Sequence, residues 1–497
     1  MGIGSLLLKR SLICAGRETM AAPSSSKYKV VVGYVSFLLM FFLSRQPPCS
    51  AAYSISYSEP LLYNQTLVSP NHIFELGFFT PHGTSNQYVG MWFKNLTPTK
   101  VVWVANRDRP LRSDDRFACL TIGSDGNLRL VDGHQNTVWS TDVPVERSNG
   151  YTAALLDTGN LVLRSDGDKG TSIWESFDHP TDTLLAEMKI GINVKTGEKR
   201  YLTSWKTDTD PSPGMVSLGL TAEVPTQPFI WNGSAPLWRG GQWDQSKFIG
   251  VSTMDGRYLN GHIVQQDVLK GTTYFSYELP GSYIGYLFVS HRGSMKFLMW
   301  NPISRNWIPI WGEPHDPCEA YGTCGPFGIC RIRSGFPSCD CVRGFAPKSE
   351  EEWKRRNWRG GCVRKHGLHC VAGPAGITDR FWKVSRLKLP DRSIYLRDVS
   401  TKAECEGWCL RNCSCVAYSF VEAIGCMVWT GELMDIKDFN GTGEDLFLRL
   451  ARRKRGETHQ RYIYPRQSVC NSQPFFFFFF FFSAVLFQTP KRRLLSA

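Results

Sequence analysis

Residues 316–345 read DPCEAYGTCGPFGICRIRSGFPSCDCVRGF, and the cysteine pattern that begins there continues to Cys426. Twelve of the 16 cysteines in this 497-residue chain lie between Cys318 and Cys426. Cysteine at this density indicates either a disulfide framework or a set of metal sites. The cellular compartment decides between them, because disulfide bonds persist in oxidising environments. The N-terminal sequence therefore bears directly on the fold.

An apolar run, VVVGYVSFLLMFFL, occupies residues 30–43 between two lysines and a group of small residues. A basic segment, a short apolar segment and small residues in this order are typical of a secretory signal peptide. The run is shorter than the ~20 residues of a membrane-spanning helix. We predict that residues 1–52 are a signal peptide, with Met20 as an alternative start and residues 1–19 as an extension. An uncleaved anchor is the alternative.

Secretion favours disulfide bonds over zinc, and we expect no metal and no cofactor. The alternative is zinc held by Cys339 and Cys341, or by His366, His369 and Cys370. Acceptor triplets for N-glycosylation fit the same compartment. They begin at Asn64, Asn95, Asn232, Asn412 and Asn440.

Short alternating strands separated by turn residues fill residues 53–200, as in the run Tyr88–Phe93. The sequence GNLRL at residues 126–130 is echoed by GNLVL at residues 159–163, and a tryptophan follows each copy. Trp103, Trp139 and Trp174 are consequently 36 and 35 residues apart. A repeat of this length indicates one supersecondary unit used several times. We predict three units around a pseudo-threefold axis, with the indoles filling a shared core.

Two motifs carry a family resemblance: WVANRDRP at residues 103–110 and WESFDHPTDTL at residues 174–184. Both resemble hallmarks of the bulb-type lectin domain in plant S-locus receptor-like proteins. The resemblance implies a β-prism of three four-stranded sheets over residues 53–195. It also implies that His179 packs a prism edge and is not a catalytic base.

Bulb-type lectins bind mannose through a Gln-x-Asp-x-Asn-x-Val-x-Tyr motif, and this chain keeps only parts of it. One copy retains Asp125 and Asn127, and the other retains Asn160 and Val162. These four residues are the candidate carbohydrate-binding residues that the resemblance implies. Alternatively, the two asparagines are turn residues that close hairpins.

Residues 196–313 continue the β pattern and resemble the S-locus glycoprotein domain, which implies a second lectin-like prism. The motifs are YLTSWK at residues 201–206 and LWRGGQW at residues 237–243. Three aromatic residues in this region, Trp231, Trp238 and Trp243, are predicted to be core residues; sugar stacking is the alternative.

The cysteine-rich stretch resembles an EGF-like module over residues 314–363 followed by a PAN/apple domain over residues 370–451. The resemblance implies the pairs Cys318–Cys330, Cys324–Cys339, Cys341–Cys362, Cys405–Cys426 and Cys409–Cys415. Cys370–Cys413 is the pair that then remains. The residues themselves predict an amphipathic helix over Ala403–Leu410, whose two cysteines lie on one face and can staple the helix to a strand.

Residues 452–497 are basic and irregular, with eight consecutive phenylalanines at residues 475–482. We interpret this tail as intron sequence read as coding; a membrane anchor is the alternative, so membrane association stays open. The family's kinases continue into a membrane helix and a serine/threonine kinase domain. No kinase motif stands in this sequence, and we predict no enzyme activity and no catalytic residue.

The sequence therefore predicts a mainly β, multidomain protein: tandem β-prism domains, a disulfide-rich EGF-like module and a PAN/apple α+β domain. We expect an extracellular recognition region for a glycan or a small cysteine-rich peptide, acting as a homodimer or with a co-receptor. The net charge of +13 predicts a solvated basic surface; the alternative in a secreted chain is binding to acidic partners, cell-wall polyanions or a membrane surface, and not to nucleic acid. The alternatives are a truncated receptor kinase and a soluble secreted decoy.

Overall fold

The computed structural model describes residues 54–145, 150–166, 171–251, 261, 263–369 and 379–451. The predicted signal peptide, Cys370 and the basic tail lie outside the described residues. Among the described residues, no helix has the length and apolar character needed to cross a membrane.

The first β-prism is built from antiparallel strands that begin at Ser54. They are β1 (Ser54–Ser56), β2 (Leu61–Leu62), β3 (Thr66–Val68), β4 (Phe74–Phe79), β5 (Asn86–Phe93), β6 (Val101–Val104), β7 (Leu111–Arg112), β8 (Cys119–Ile122), β9 (Leu128–Val131), β10 (Thr137–Ser140), β11 (Tyr151–Leu155), β12 (Leu161–Ser165) and β13 (Ser172–Glu175). Three four-stranded sheets result, in the orders β1-β11-β12-β13, β2-β8-β9-β10 and β3-β4-β5-β6, with β7 added beside β5. The predicted prism is confirmed.

Three indoles meet at the centre of the first prism. The ring centroids of Trp103, Trp139 and Trp174 are 5.7 to 6.1 Å apart, and each pair is edge-to-face. Aromatic rings prefer this arrangement because the positive edge of one ring faces the negative face of the next. The predicted shared tryptophan core is thus confirmed, and the 35-residue spacing is explained by one indole from each sheet.

The second β-prism repeats the architecture without the sequence repeat. Its strands are β14 (Thr183–Leu184), β15 (Ile190–Asn193), β16 (Glu198–Arg200), β17 (Leu202–Trp205), β18 (Pro213–Leu220), β19 (Pro228–Asn232), β20 (Ala235–Arg239), β21 (Ile263–Asp267), β22 (Thr272–Ser276), β23 (Gly285–Val289), β24 (Met295–Asn301) and β25 (Asn306–Glu313). The sheets are β14-β23-β24-β25, β16-β15-β22-β21 and β17-β18-β19-β20. Trp238 is buried in this core, whereas Trp231 and Trp243 are half-buried against other aromatic rings.

Whereas a short 3-10 helix, Ser176–Asp178, lies between the two prisms' strands, two α-helices of the described residues lie in the C-terminal half. Its elements are β26 (Gly328–Arg333), β27 (Phe336–Cys341), β28 (Phe345–Pro347), α1 (Glu350–Lys354), β29 (Cys362–Arg364), β30 (Arg380–Lys388), β31 (Ile394–Leu396), α2 (Lys402–Arg411), β32 (Ala417–Val421), β33 (Gly425–Trp429), β34 (Ile436–Asp438) and β35 (Glu444–Leu450). Helix α2 is the predicted amphipathic helix. A capping box between Thr401 and Glu404 begins it, because each side chain satisfies a backbone N–H of the other.

The disulfide-rich module and the PAN-like module share one sheet. The order of its eight strands is β27-β26-β34-β30-β35-β32-β33-β31. The junction is a parallel pairing in which Ile329 lies opposite Ile436 and Cys330 opposite Lys437. The sequence predicted two separate modules, and the structure shows instead that hydrogen bonds join them edge to edge.

Candidate recognition site

The predicted carbohydrate residue Asn127 closes a loop of its own prism. Its side-chain oxygen accepts hydrogen bonds from the Thr141 hydroxyl at 2.8 Å and the Val143 N–H at 2.9 Å. Its amide nitrogen donates to the Val143 carbonyl at 3.1 Å and to Asp125 at 3.0 Å. The residue is 6% exposed, so its polar atoms are used within the fold. Gly126 precedes it at a φ of +79°, a conformation that favours glycine.

Asn160 occupies the equivalent place in the next repeat. Its side-chain oxygen accepts from the Ser176 hydroxyl at 3.1 Å and the Phe177 N–H at 3.2 Å, and its amide donates to Glu175 at 2.8 Å. Val162, two residues further, is buried. The Gly-Asn-Leu echo thus encodes a hairpin closure, which supports the turn interpretation of both asparagines.

Asp125 forms an ion pair with Arg129 of the following strand, β9. Its carboxylate accepts from the Arg129 guanidinium at 2.5 Å, and both side chains are 35% exposed. In the family's motif, Arg129 stands at the position of the valine. The Arg129 guanidinium is therefore bound to the Asp125 carboxylate, which in the family's motif would bind a sugar hydroxyl. The partial match to the motif is not sufficient to make this strand a sugar site.

The two motifs that carry the resemblance instead build the joint between the prisms. Arg107, from WVANRDRP, is 7% exposed and reaches into the second prism. Its guanidinium donates to the carbonyls of Pro211 at 2.7 Å, Thr203 at 3.0 Å and Ser204 at 2.5 Å. Burial lowers the pKa of this guanidinium. No local sequence signal could have identified these partners, because they are backbone carbonyls about 100 residues away.

The second motif completes the joint from the other side. The Trp103 indole N–H donates to the His179 carbonyl at 3.0 Å, and the Thr181 hydroxyl donates to the Val102 carbonyl at 3.2 Å. The Lys100 ammonium lies 2.6 Å from the buried Asp182 carboxylate. Hydrogen bonds to charged groups in a buried setting are among the stronger ones. The two prisms are therefore fixed to each other.

A polar cleft of about 370 Å³ lies at this joint. Its wall includes the tryptophan triangle, and around it stand the side chains of Asp108, Asp178, His179, Lys199 and Tyr201. The volume is within the ~300–1,000 Å³ range of small-ligand pockets. The cleft combines aromatic surface with charged groups, and it is assembled from both prisms.

The ionisable groups of the cleft differ in how they are held. The Arg200 guanidinium contacts Asp178, whose pKa is raised because burial disfavours its ionised form. The His179 ring stacks on Trp174 with centroids 5.2 Å apart, and the loss of water lowers its pKa. Asp108 and Lys199 are exposed. These two side chains are thus available to a ligand.

The cysteines of the C-terminal half are bonded in the pairs that the resemblance implies. The structure contains Cys318–Cys330, Cys324–Cys339, Cys341–Cys362, Cys405–Cys426 and Cys409–Cys415. Cys413 is disulfide-bonded, and Cys370, its predicted partner, lies outside the described residues. The predicted glycosylation residues Asn64, Asn95, Asn232 and Asn440 are exposed, and Asn412 is half-buried.

Three protein families match this chain. The D-mannose binding lectin family matches residues 100–206, the S-locus glycoprotein domain residues 238–349 and the PAN-like domain residues 370–436. The matches follow one another in the order of the modules. The tandem order is that of the predicted lectin, S-locus glycoprotein and PAN modules.

Curated relatives are similar over most of the chain. A G-type lectin S-receptor-like serine/threonine-protein kinase of Arabidopsis thaliana is 46% identical over 428 residues, which is 84% of this chain and 52% of the relative. A second kinase of the same description and organism is 43% identical over 426 residues, again 84% and 52%. The chain spans about half the length of these relatives.

Among solved structures, a monomeric mannose-binding lectin from Gastrodia elata is 15% identical to this chain. The likeness covers 25% of this chain and 96% of that lectin, with a TM-score of 0.20.

Proposed function

We propose that this chain is a recognition region for a glycan. The chain belongs to the G-type lectin S-receptor-like family. It comprises the lectin, S-locus glycoprotein and PAN-like modules of that family's extracellular part. It works in the secretory pathway and then outside the cell or on the outer face of the plasma membrane. Recognition serves contact between cells, in pollen recognition or in defence. A small cysteine-rich peptide is the alternative ligand, and a homodimer or a complex with a co-receptor is the proposed assembly.

The observation that carries this proposal is the chemistry of the polar cleft. A sugar ring offers an apolar face of C–H groups and an edge of hydroxyls. The half-buried Trp139 offers aromatic surface to the face, and Lys199 and Asp108 offer charge-assisted hydrogen bonds to the edge. The joint fixes both prisms, so these groups are positioned before the ligand binds, which reduces the entropic cost of association.

The test is glycan binding by the full secreted chain, followed by titration of the best glycan against tryptophan fluorescence. We expect Lys199→Ala and Asp108→Ala each to weaken binding about tenfold, the effect of losing one hydrogen bond to a charged group. Lys195→Ala is the matched control, since Lys195 lies on the same β15–β16 hairpin outside the cleft. Equal affinity of the cleft variants and the control would refute the cleft as the site.

The degenerate strand motif gives the competing location. Because Asn127 and Asn160 use their polar atoms within the fold, we expect mannose-agarose not to retain the chain. If the chain were retained, and if Asp125→Ala abolished retention while Lys199→Ala preserved it, the strand would be the sugar site. The cleft would then have another role.

Kinase activity is a separate proposal for a longer protein. The relatives are named serine/threonine-protein kinases, and this chain spans 52% of the first of them. Transcript sequence past Leu450 tests it. A spliced message that continues into a membrane helix and a kinase exon would support the receptor form. A message without them, with protein in extracellular fluid only, would support the soluble decoy.

A further inference from the structure

The acceptor triplet at Asn412 lies inside a small disulfide loop. Its residues Asn412, Cys413 and Ser414 are enclosed by the Cys409–Cys415 bond, which spans 6 residues. The Cα atoms of Cys409 and Cys415 are 5.2 Å apart. Six residues in extended conformation would span ~20 Å. The bonded loop therefore cannot open into an extended segment, and the disulfide bond of Cys413 ties it at a third point.

Hydrogen bonds hold the triplet in a closed turn. The Ser414 hydroxyl donates to the Asn412 side-chain oxygen at 2.7 Å, and the Ser414 N–H donates to the same oxygen at 3.0 Å. The Asn412 N–H donates to the Trp408 carbonyl at 3.0 Å, and the Cys415 N–H donates to the Asn412 carbonyl at 3.0 Å. The hydroxyl that defines the triplet is thus used by the asparagine itself.

A buried arginine locks the loop to the sheet. The Arg449 guanidinium donates to the carbonyls of Cys409 and Asn412, both at 2.9 Å. Its other edge lies 2.9 Å from the Asp379 carboxylate, and the arginine is 1% exposed. Releasing the triplet would leave this charge without its carbonyl partners, which is costly in a buried setting. The closed loop is therefore part of the folded PAN-like module.

The other four triplets are open by comparison. Asn64, Asn95, Asn232 and Asn440 are exposed and lie in turns or at a strand end. None of the five disulfide bonds named above closes a loop around any of these four asparagines. Asn412 stands apart as the half-buried member of the set.

We propose that Asn412 accepts an N-linked glycan only while the Cys409–Cys415 bond is open, so that oxidation of this loop decides the modification. In the transfer, the bond from sugar C1 to the pyrophosphate oxygen of a lipid-linked oligosaccharide breaks. A bond from C1 to the Asn412 amide nitrogen forms, that nitrogen gives one proton to the solvent, and the lipid pyrophosphate leaves with the electron pair of the broken bond. The inference rests on the proposed secretory location, because the donor and the transferase belong to that compartment.

The test is translation of the full chain with endoplasmic-reticulum microsomes, with and without dithiothreitol, and mass-spectrometric measurement of glycan occupancy at each of the five asparagines. We expect occupancy of Asn412 to be low without the reductant and to rise several-fold with it. The double variant C409S/C415S should show the raised occupancy without reductant. Because transfer needs no folded product, a folding defect in this variant does not obscure the result.

Matched controls separate the loop from general unfolding. The double variant C318S/C330S opens a disulfide that encloses no triplet, and we expect it to leave Asn412 occupancy low. Ser414→Ala removes the triplet and should abolish occupancy under every condition. If glycan occupancy of Asn412 were the same with and without reductant while the other sites were occupied, the inference would be overturned. The proposed secretory location would stand. Occupancy at none of the five sites would overturn the secretory location and the inference with it.

Discussion

The two prisms share an architecture but fill their centres differently. In the first, Trp103, Trp139 and Trp174 meet edge to face and close the axis. In the second, residues such as Trp238, Phe275 and Phe297 surround an apolar cavity of about 50 Å³. An apolar cavity of this kind stays dry and forfeits the dispersion contacts that atoms in it would make. The second centre is therefore incompletely packed.

This difference shows what an internal repeat contributes to a fold. In the first prism each of the three units supplies one indole, so the same edge-to-face contact is made three times. The repeat can therefore be recognised in the sequence as a regular tryptophan spacing. The second prism uses unlike residues from each sheet, such as the Tyr277–Phe297 pair with centroids 5.5 Å apart. Equivalent sheets can thus persist after the repeat in the side chains has been lost.

The largest expected effect is at the tryptophan triangle. Trp174→Ala should lower the free energy of unfolding of the first prism by about 3–5 kcal/mol, because it removes a buried indole and leaves a cavity. Trp311→Ala, which enlarges an existing cavity in the second prism, should cost less. Urea denaturation, with hydrogen exchange to separate the prisms, measures both. Equal costs would remove the contrast between the two centres.

The prisms also end differently, and pH should separate them. The second prism ends at Glu313, whose pKa burial raises to about 7, next to His315, whose pKa is raised to about 10 by hydrogen bonds to Glu313 and Glu319. Both folded-state values exceed the ordinary ones, so stability is highest below them and falls as pH rises. For Glu313 the loss falls between about 4.5 and 7.

We expect the urea midpoint of the second prism to fall over that window by the equivalent of about 2–3 kcal/mol, and Glu313→Gln to flatten the slope. Glu59→Gln, at an exposed carboxylate of the first prism, is the control. A slope that survives in Glu313→Gln would assign the pH dependence to another group. His315 also contacts Asp316, and Lys437 contacts both Asp316 and Glu319, so the slope should depend on the whole cluster.

The hairpin closures test the repeat at a smaller scale. Asn127→Ala and Asn160→Ala each remove a side chain that bonds partly buried backbone groups, and each should cost about 1–2 kcal/mol. Because the two sites are equivalent copies, we expect the two costs to agree. Thermal unfolding of the single variants measures this, and a cost confined to one of them would show that the copies have diverged in energy as well as in sequence.

The smallest expected effect has opposite signs in the two prisms. Val251→Ile adds a methyl group beside the second-prism cavity and should stabilise by up to about 1 kcal/mol. Val102→Ile adds the same group to the tightly filled first core and should destabilise by about 1 kcal/mol. Stabilisation in both places would mean that the first core also has unfilled space.

The sequence predicted the features that have a local period. The 35-residue tryptophan spacing predicted the central indoles. The spacing of Cys405 and Cys409 predicted helix α2 and a staple to a strand, and the pair implied by the resemblance, Cys405–Cys426, makes that strand β33. The bulb-lectin resemblance, carried by WVANRDRP and WESFDHPTDTL, supplied the prism. Local pattern and family motif agree in these places.

Contacts between distant segments were not predictable. The guanidinium of Arg107 binds backbone carbonyls, which leave no mark on side-chain identity. The parallel pairing of β26 with β34 joins strands about 100 residues apart. Parallel strands are not connected by a hairpin turn, so the sequence contains no turn motif that predicts the pairing. The cleft was missed for the same reason, since its residues come from both prisms. The two motifs WVANRDRP and WESFDHPTDTL were recognisable in the sequence, but their role in joining the prisms was not.

The shared eight-stranded sheet bears on how such chains evolve. Recombination that exchanged the PAN-like module of one gene for that of another would have to replace the β26–β34 ladder in the same event. A mismatched partner would leave an unpaired strand edge at Ile329 and lose the Lys437 contacts to Asp316 and Glu319. The disulfide-rich and PAN-like segments should therefore be inherited as one block, while the lectin half can diverge or be exchanged upstream of it.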